Sequence, residues 1–416
     1  MLTKSQIKTL DHIDQIPTAE PSKVPFYGQY ALNWLPFDQI QFGSLTVQLG
    51  EHQRRFNGKH AGIHAELMIL NPLRFSWLLL TQGELGFAKA YADGLIASPC
   101  LHTLLRLGAA NEQALSQTLK GKNWFYRRFL AQHRANHNSV ENSRTNISAH
   151  YDLGNDFYQL WLDETMSYSS ALYAENPTDL ASGQTAKYQR ILHELDVQPG
   201  EHILEIGCGW GGFAEQAAQL GAQVSGVTLS REQLEFAKHR LKKAGLAERT
   251  NLSLTDYRHI DGQFDHIVSI EMFEAVGKEY WHSYFSQLQK LLKSDGKAVL
   301  QIITIDEGYA EDYQEGVDFI QTYIFPGGLL PSKSQLHRLA AEYGFEVTNQ
   351  LNFGQDYAHT LWQWRENFDA HCDELEILGY DARFQRIWHY YLDYCRVGFE
   401  TQRTDVVQLT LEKKRV

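Results

Sequence analysis

The sequence predicts an α/β fold: a mostly parallel sheet with helices on both faces, joined to a smaller N-terminal α+β domain. Three observations predict it. From about residue 186 onward, short β-type apolar runs alternate with helical segments, the pattern of a parallel sheet. The first of these runs leads into Leu204-Glu205-Ile206-Gly207-Cys208-Gly209-Trp210-Gly211-Gly212, a strand–turn–helix with four glycines in six positions. Before residue 134 that alternation is missing, and an alternating strand is followed by helix instead.

The N-terminal elements are a strand at Phe42–Gly50 and a helix from Glu84 to Ile96 that closes at Gly94. Ala135–Thr145 is almost entirely polar and reads as a linker. The expected domains are therefore 1–134, a linker at 135–147, and 148–416. Within the last, strands are expected at His202–Ile206, Gln223–Thr228, Asn251–Thr255, Phe264–Ser269 and Ala298–Ile305. A terminal strand is expected at Val406–Leu411. There is no internal repeat and no low-complexity tract.

The bulk composition narrows the function. The chain has 416 residues, enough for two or three domains. A net charge of −12 argues against a dedicated nucleic-acid binder, which needs a basic surface. Cys100, Cys208, Cys372 and Cys395 lie far apart, so no metal site or disulfide framework is expected and a reducing cytoplasm is the default. The most apolar stretch, Leu67 to Leu80, is interrupted by Asn71, Pro72 and Arg74. It is too short to span a bilayer, so any membrane contact is expected to be peripheral.

The glycine turn carries the first chemical signal. Glycines let the backbone approach a ligand in conformations closed to other residues. Glu205 precedes Gly207, Gly209 and Gly211, where a carboxylate repels pyrophosphate but suits a cationic, amino-acid-bearing ligand such as S-adenosylmethionine. The second strand ends in Thr228, Ser230 and Gln233, neutral hydrogen-bonding groups in place of the usual ribose-binding acid. After the third strand, Asp256 is a candidate acceptor for an adenine amine, and Tyr257 either stacks on the ring or packs in the core.

Several segments together resemble the cyclopropane fatty acid synthase family. They are His150-Tyr151-Asp152-Leu153-Gly154-Asn155-Asp156-Phe157-Tyr158, Met166-Ser167-Tyr168-Ser169-Ser170-Ala171, Gly226-Val227-Thr228-Leu229-Ser230 and Tyr323-Ile324-Phe325-Pro326-Gly327-Gly328. The resemblance runs from about Asn146 to the C-terminus and extends more weakly through Gly86–Gly94. It implies a class I methyltransferase (Rossmann-like) domain that methylates the cis double bond of an unsaturated acyl chain, usually in a phospholipid. It assigns cofactor contacts to Tyr168, Ser169, Gly207, Gly209, Thr228, Gln233, Asp256 and Tyr257.

The implied chemistry has two parts. Alkene electrons attack the sulfonium methyl and leave a carbocation, which needs proximity and a dry aromatic pocket. A base then removes a proton. Loss from the transferred methyl closes a cyclopropane or leaves an exocyclic methylene; loss from a neighbouring carbon gives a methylated alkene. In the resembled family the base is a bound bicarbonate, held by a cysteine, a glutamate, a histidine and a tyrosine. The glutamate matches Glu274 and the tyrosine Tyr357. The cysteine position holds Ser170, the histidine position holds Gln301, and the histidine usual after the glutamate is Ala275. Gln cannot carry the charge that His can, so weaker anion binding or a different base is expected.

Cyclopropanation of an acyl phospholipid is the expected function. The alternatives are C-methylation or methylenation without ring closure, motivated by Ser170 and Gln301, an amine N-methyltransferase, and a lipid-binding protein with a vestigial cofactor fold. A soluble acidic enzyme needs a docking element to reach lipid. Lys120 to Arg134 carries five basic residues and no acid, interleaved with aromatics, and reads as an interfacial helix or an inter-domain one. The resemblance also suggests a homodimer. Of the remaining residues, Trp210 and Cys208 are read as packing the turn, and Phe273 and Phe325 as core or acyl-channel aromatics. Glu271, in the same post-strand loop as Glu274, is read as a solvated loop acid ahead of a paired-carboxylate role, and His359 as a base ranked below Glu274.

Overall fold

The computed structural model describes residues 35–119, 153–173 and 179–414. These fall into two compact units. The first holds 35–119 together with 365–397; the second holds 153–364 and 398–414. The expected linker at 135–147 and the basic segment Lys120–Arg134 lie outside the described residues.

In the first unit, β1 (Phe42–Leu49), β2 (His52–Asn57), β3 (His60–Ile69) and β4 (Ile96–Ala97) form a sheet in the order β2-β1-β3-β4. The helix Glu84–Ala92 ends just before Gly94, whose φ of 67° belongs to the left-handed region. The 365–397 segment joins this unit through Arg383, whose Nε donates to Asp93 Oδ1 at 3.0 Å, and Arg386, whose Nε donates to the Ala92 carbonyl at 2.9 Å. Tyr390 packs its ring against Phe87 and Tyr91. One continuous domain over 148–416 does not anticipate this return of the chain.

The second unit is built on β5 (His202–Ile206), β6 (Gln223–Thr228), β7 (Thr250–Leu254), β8 (Phe264–Ile270), β9 (Leu292–Ile305), β10 (Phe345–Asn352) and β11 (Thr404–Lys413). They form one sheet in the order β10-β11-β9-β8-β5-β6-β7. Strands β5 to β9 pair in parallel, and β11 enters antiparallel between β9 and β10. The strands are apolar because both faces are covered. Ile203, Val224, Val268 and Val299 pack under the helices Leu180–Leu195 and Gly212–Gln219, while Leu204, Ile267, Ala298 and Leu300 face Trp281–Leu291. Strand order reverses beside β5, between β6 on one side and β8 on the other. That places a crevice at the carboxyl ends of β5 and β8, the usual ligand position in such sheets.

No helix among the described residues is long and apolar enough to cross a membrane.

Candidate active site

The glycine turn after β5 sits at that crevice. Gly207, Gly209 and Gly211 have φ of 86°, 49° and 81°, all in the left-handed region. Their roles differ. A Cβ on Gly211 meets Ala237 at 3.0 Å, and one on Gly212 meets Tyr188 at 3.0 Å, so these two allow close helix packing. A Cβ on Gly209 meets nothing within 4 Å, so this glycine borders open space. Cys208 is buried against Gly226 and Trp210 is buried against Tyr158, its Nε1 donating to Asn155 Oδ1 at 2.7 Å. Both pack the turn, as expected.

Glu205 is buried at the end of β5, and its Oε2 has no hydrogen-bond partner among the described residues. Burial holds its pKa well above the ordinary carboxylate value, with the charge of Arg240 only partly opposing this. A buried acid with an unmet oxygen beside an open glycine fits a cationic ligand. S-adenosylmethionine therefore fits this site, with Glu205 and the Gly207–Gly209 backbone the residues to hold it.

The other expected cofactor contacts are placed less simply. Ser230 caps the helix Arg231–Lys243, its Oγ accepting from Gln233 N at 3.3 Å, and Thr228 Oγ1 donates to the Gln233 side chain at 2.9 Å. These three buried residues stiffen the end of β6 and satisfy one another. Asp256 accepts from Arg258 Nη2 at 2.6 Å and Nε at 2.9 Å. Burial pulls its pKa up, but the hydrogen bonds and charge of Arg258 outweigh this and leave it lowered. Its carboxylate is thus already paired. Tyr257 lies in the core with its ring edge on Tyr284, centroids 5.3 Å apart, rather than standing free to stack.

Across the crevice, the entry segment is pinned to the helix Gly354–Ala370. Ala171 N donates to Thr360 Oγ1 at 3.1 Å and Tyr173 N to Asp356 Oδ2 at 2.7 Å. This pinning presents Tyr168 inside an aromatic wall. Its ring centroid lies 5.4 Å from Trp364, 5.5 Å from Trp161 and 6.4 Å from Phe325. Phe273, in contrast, is a core residue stacked on Trp281. Trp161 and Trp364 are fully buried behind the wall, so Tyr168 and Phe325 are its rings left partly exposed to a developing cation.

Beside this wall three of the four expected anion-site residues converge, and an acid of the chain itself stands at their focus. Glu271 Oε1 accepts from Ser170 N at 2.9 Å and from Gln301 Nε2 at 2.7 Å; Glu271 Oε2 accepts from Tyr357 Oη at 2.6 Å. The Gln301 amide is oriented from behind. Gln408 Nε2 donates to Gln301 Oε1 at 2.9 Å, and Arg190 Nη1 donates to Gln408 Oε1 at 2.6 Å. A guanidinium is thereby linked to the carboxylate through two buried amides, which polarise one another.

Three expectations are corrected here. Glu271 is not a solvated loop acid; it is the hub of the site. Ser170 contributes its backbone N–H, while its hydroxyl donates to the Ala171 carbonyl at 2.9 Å and so takes no part as an anion ligand. Bicarbonate does not fit, because the donors expected to hold it already bind a carboxylate. Glu271 also sits at φ 48°, a left-handed conformation that costs a non-glycine residue about 1–3 kcal/mol. Backbone pairing enforces it, since Glu271 N donates to the Gln301 carbonyl at 2.8 Å. The sequence signal for Glu271 was an acid three residues before Glu274 at a strand end; the strained backbone that aims it was invisible.

Glu274 lies close by with a different environment. One of its oxygens accepts from Ile303 N, and Oε2 is buried with no partner among the described residues. The loop after Tyr323 closes over it, Leu329 N donating to the Glu274 carbonyl at 2.8 Å. Burial, helped by the charge of Glu271, pushes its pKa up to about 8. Glu274 is therefore mostly neutral at pH 7. Burial also raises Glu271, but the hydrogen bond from Tyr357, the charge of Lys187 and the donors Ser170 and Gln301 oppose this. Burial raises both carboxyls, and Glu271 is the one whose surrounding donors and nearby cation favour the ionised form. His359 is exposed, with its ring edge-on to Tyr173.

Glu274→Gln is expected to change turnover at pH 7 by less than about tenfold, the scale of one ordinary hydrogen bond. It should also remove any feature near pH 8 from the pH–rate profile. A pH series on the purified variant checks both, and a loss comparable to that of a Glu271 variant contradicts the assignment.

Known proteins match this arrangement over most of the chain. The family model described as mycolic acid cyclopropane synthetase matches residues 138–409. A tuberculostearic acid methyltransferase of Mycobacterium tuberculosis is 38% identical over 359 residues, covering 83% of this chain and 82% of that protein. A cyclopropane-fatty-acyl-phospholipid synthase of Escherichia coli is 34% identical over 357 residues, covering 84% of this chain and 88% of that protein. A solved mycolic acid cyclopropane synthase, complexed with SAH and CTAB, superposes with a TM-score of 0.61 at 33% identity. It covers 65% of this chain and 98% of its own.

Proposed function

Because the chain belongs to the mycolic acid cyclopropane synthetase family, we propose that it methylates the double bond of an unsaturated acyl chain and closes a cyclopropane ring. It is an S-adenosylmethionine-dependent methyltransferase. The observation that carries the mechanism is the Glu271 carboxylate held by Ser170 N, Gln301 and Tyr357.

Bound S-adenosylmethionine supplies an electrophilic methyl group. Glu205 and the glycine backbone after β5 would hold it, and Tyr168 and Ser169 are the further residues the family resemblance assigns to it. In the proposed step the π electrons of the acyl double bond would form the new carbon–carbon bond to that methyl. The sulfur–methyl bond would break with its electron pair left on sulfur, releasing the neutral thioether S-adenosylhomocysteine, and the other alkene carbon would become cationic. The rings of Tyr168 and Phe325 would stabilise that charge, with Trp161 and Trp364 buried behind them to exclude water. Glu271 takes a proton from the transferred methyl. The electrons of that C–H bond close the third side of the ring, and Glu271 leaves the step as a neutral acid. Its donors hold it as a carboxylate beforehand, and general bases of this kind contribute about 10²- to 10⁴-fold.

A second reading is favoured by one observation. The base belongs to the chain and stands in a fixed direction, and the 38%-identical relative is named a tuberculostearic acid methyltransferase rather than a cyclopropane synthase. If Glu271 faces a neighbouring carbon, or no ring forms, the product is a methylated or methylene-bearing chain. Both readings place the enzyme at a phospholipid surface on the cytoplasmic face, where Lys120–Arg134 is the proposed docking element and a homodimer the proposed assembly.

The test is product analysis. Purified enzyme is given methyl-labelled S-adenosylmethionine and vesicles of cis-monounsaturated phosphatidylglycerol, and the acyl chains are resolved by chromatography and proton NMR. High-field ring protons are the expected result. Vinyl or branched-methyl signals without them establish the second reading, and no labelled lipid at all overturns both.

A further inference from the structure

We propose that Lys187 is a positioning residue for the base: its buried ammonium is the counter-charge that keeps Glu271 ionised in a site that excludes water. The inference rests on the reading of Glu271 as the base.

Lys187 lies in the helix Leu180–Leu195 and is fully buried. A buried cation is costly unless charge and hydrogen bonds compensate it. Its hydrogen-bond acceptors are neutral: Ser169 Oγ and Gln184 Oε1, each 2.5 Å from Nζ. The Tyr188 ring lies 4.5 Å away. These orient the ammonium but do not neutralise it. The opposite charges that face it are Glu271 and Asp163.

The wall between the two groups is a single stretch of chain. Gln184 Nε2 donates to the Ser169 carbonyl at 2.8 Å, which turns the amide oxygen toward Lys187. Ser169 Oγ accepts from Lys187, and the next residue, Ser170, donates its N–H to Glu271. The lysine and the carboxylate therefore lie on either side of one dipeptide, and both are fixed by it.

The need for a counter-charge follows from the surroundings of Glu271. Tyr357 faces it from the helix Gly354–Ala370, Gln301 from β9, and Ser170 from the entry segment. All three are neutral. Glu274, on the same loop, repels a second negative charge once it ionises. The guanidinium of Arg190 acts only through Gln408 and Gln301. Lys187 is the cation whose charge acts directly on Glu271. Burial lowers the lysine to about 7, while Glu271 and then Asp163 pull it back up. It is thus charged on the acidic side of neutrality, where Glu271 would otherwise gain a proton and cease to be a base.

The test is the pH profile of kcat for Lys187→Met, measured with saturating S-adenosylmethionine and cis-monounsaturated phosphatidylglycerol vesicles. Removing a nearby opposite charge should move the acid limb upward by about one pH unit or more. Turnover then falls about tenfold on the acidic side and recovers as pH rises, with KM for S-adenosylmethionine unchanged. An unshifted limb, or a loss that is uniform across pH, overturns the proposal. Lys187→Gln serves where the methionine variant does not fold, as judged by thermal melting. Glu271→Gln separates the two claims: if it keeps turnover, the base reading fails; if it is inactive while Lys187→Met is unshifted, only the role of Lys187 fails.

Discussion

Glu271→Gln should lower kcat by about 10³-fold, within the 10²–10⁴ range of a general base, while S-adenosylmethionine still binds. The amide preserves volume: its oxygen can still accept from Ser170 N and Gln301 Nε2, while its NH2 replaces the oxygen that accepts from Tyr357 and can donate to the Tyr357 hydroxyl oxygen instead. What it loses is the ability to take a proton. The pH dependence has a definite sign. Burial raises the pKa of Glu271 above the ordinary carboxylate value, and only the ionised form is a base. Wild-type turnover therefore declines as pH falls through that raised value, and the variant's residual turnover has no such limb. Single-turnover kinetics with labelled cofactor measure this, and calorimetry confirms that binding is intact. A variant within tenfold of wild type would remove Glu271 from the chemistry.

Glu205→Gln carries the second large effect, on binding rather than chemistry. Losing a charged hydrogen bond of about 1.5–3 kcal/mol corresponds to roughly ten- to hundred-fold weaker S-adenosylmethionine binding. Stability should not suffer. A carboxyl whose pKa is raised on folding destabilises the fold as pH rises above its unfolded pKa, so a neutral amide is no worse. The same shift ties binding to protons. In the free protein burial favours the protonated form of Glu205, and that proton must leave before the carboxylate pairs with a cation. Affinity in the wild type should rise with pH and level off above the raised pKa; in the variant it should be flat. Calorimetry in two buffers of different ionisation heat should show proton release for the wild type and none for the variant. Proton release that persists in the variant would assign the linkage elsewhere.

Much of the fold was legible because periodicity and glycines report local backbone needs. The expected strands at His202–Ile206 and Gln223–Thr228 coincide with β5 and β6. The start of β9 was hidden. Lys293-Ser294-Asp295-Gly296 reads as a turn, yet it belongs to a strand running from Leu292. Gly296 is there because a Cβ would lie 2.3 Å from the Asp265 carbonyl oxygen, a contact between strands that no local pattern announces. The return of 365–397 to the first unit was hidden for a similar reason. The helix Gly354–Ala370 runs through the division without a break in composition.

The active site divides the same way. Tyr357 and Gln301 were singled out by their matching positions, and both hydrogen-bond Glu271. Glu271 was misjudged because an acid after a strand usually faces water. Its direction comes from a left-handed backbone at one residue and from donors up to 101 positions away along the chain. Asp256 and Tyr257 have neighbours that the sequence did not announce. Their residue types suit a nucleotide, but Arg258 and Tyr284 already engage them.

The central claim is that this enzyme carries its own anion where its relatives' resemblance implies a bicarbonate. The direct measurement is turnover of the wild type and of Glu271→Gly in buffer stripped of carbon dioxide, with and without added bicarbonate. Glycine suits the left-handed backbone and vacates the space among Ser170, Gln301 and Tyr357. The wild type should be indifferent to bicarbonate, and the variant should be nearly inactive until bicarbonate partly restores it. A wild type that loses turnover when bicarbonate is removed would contradict the account.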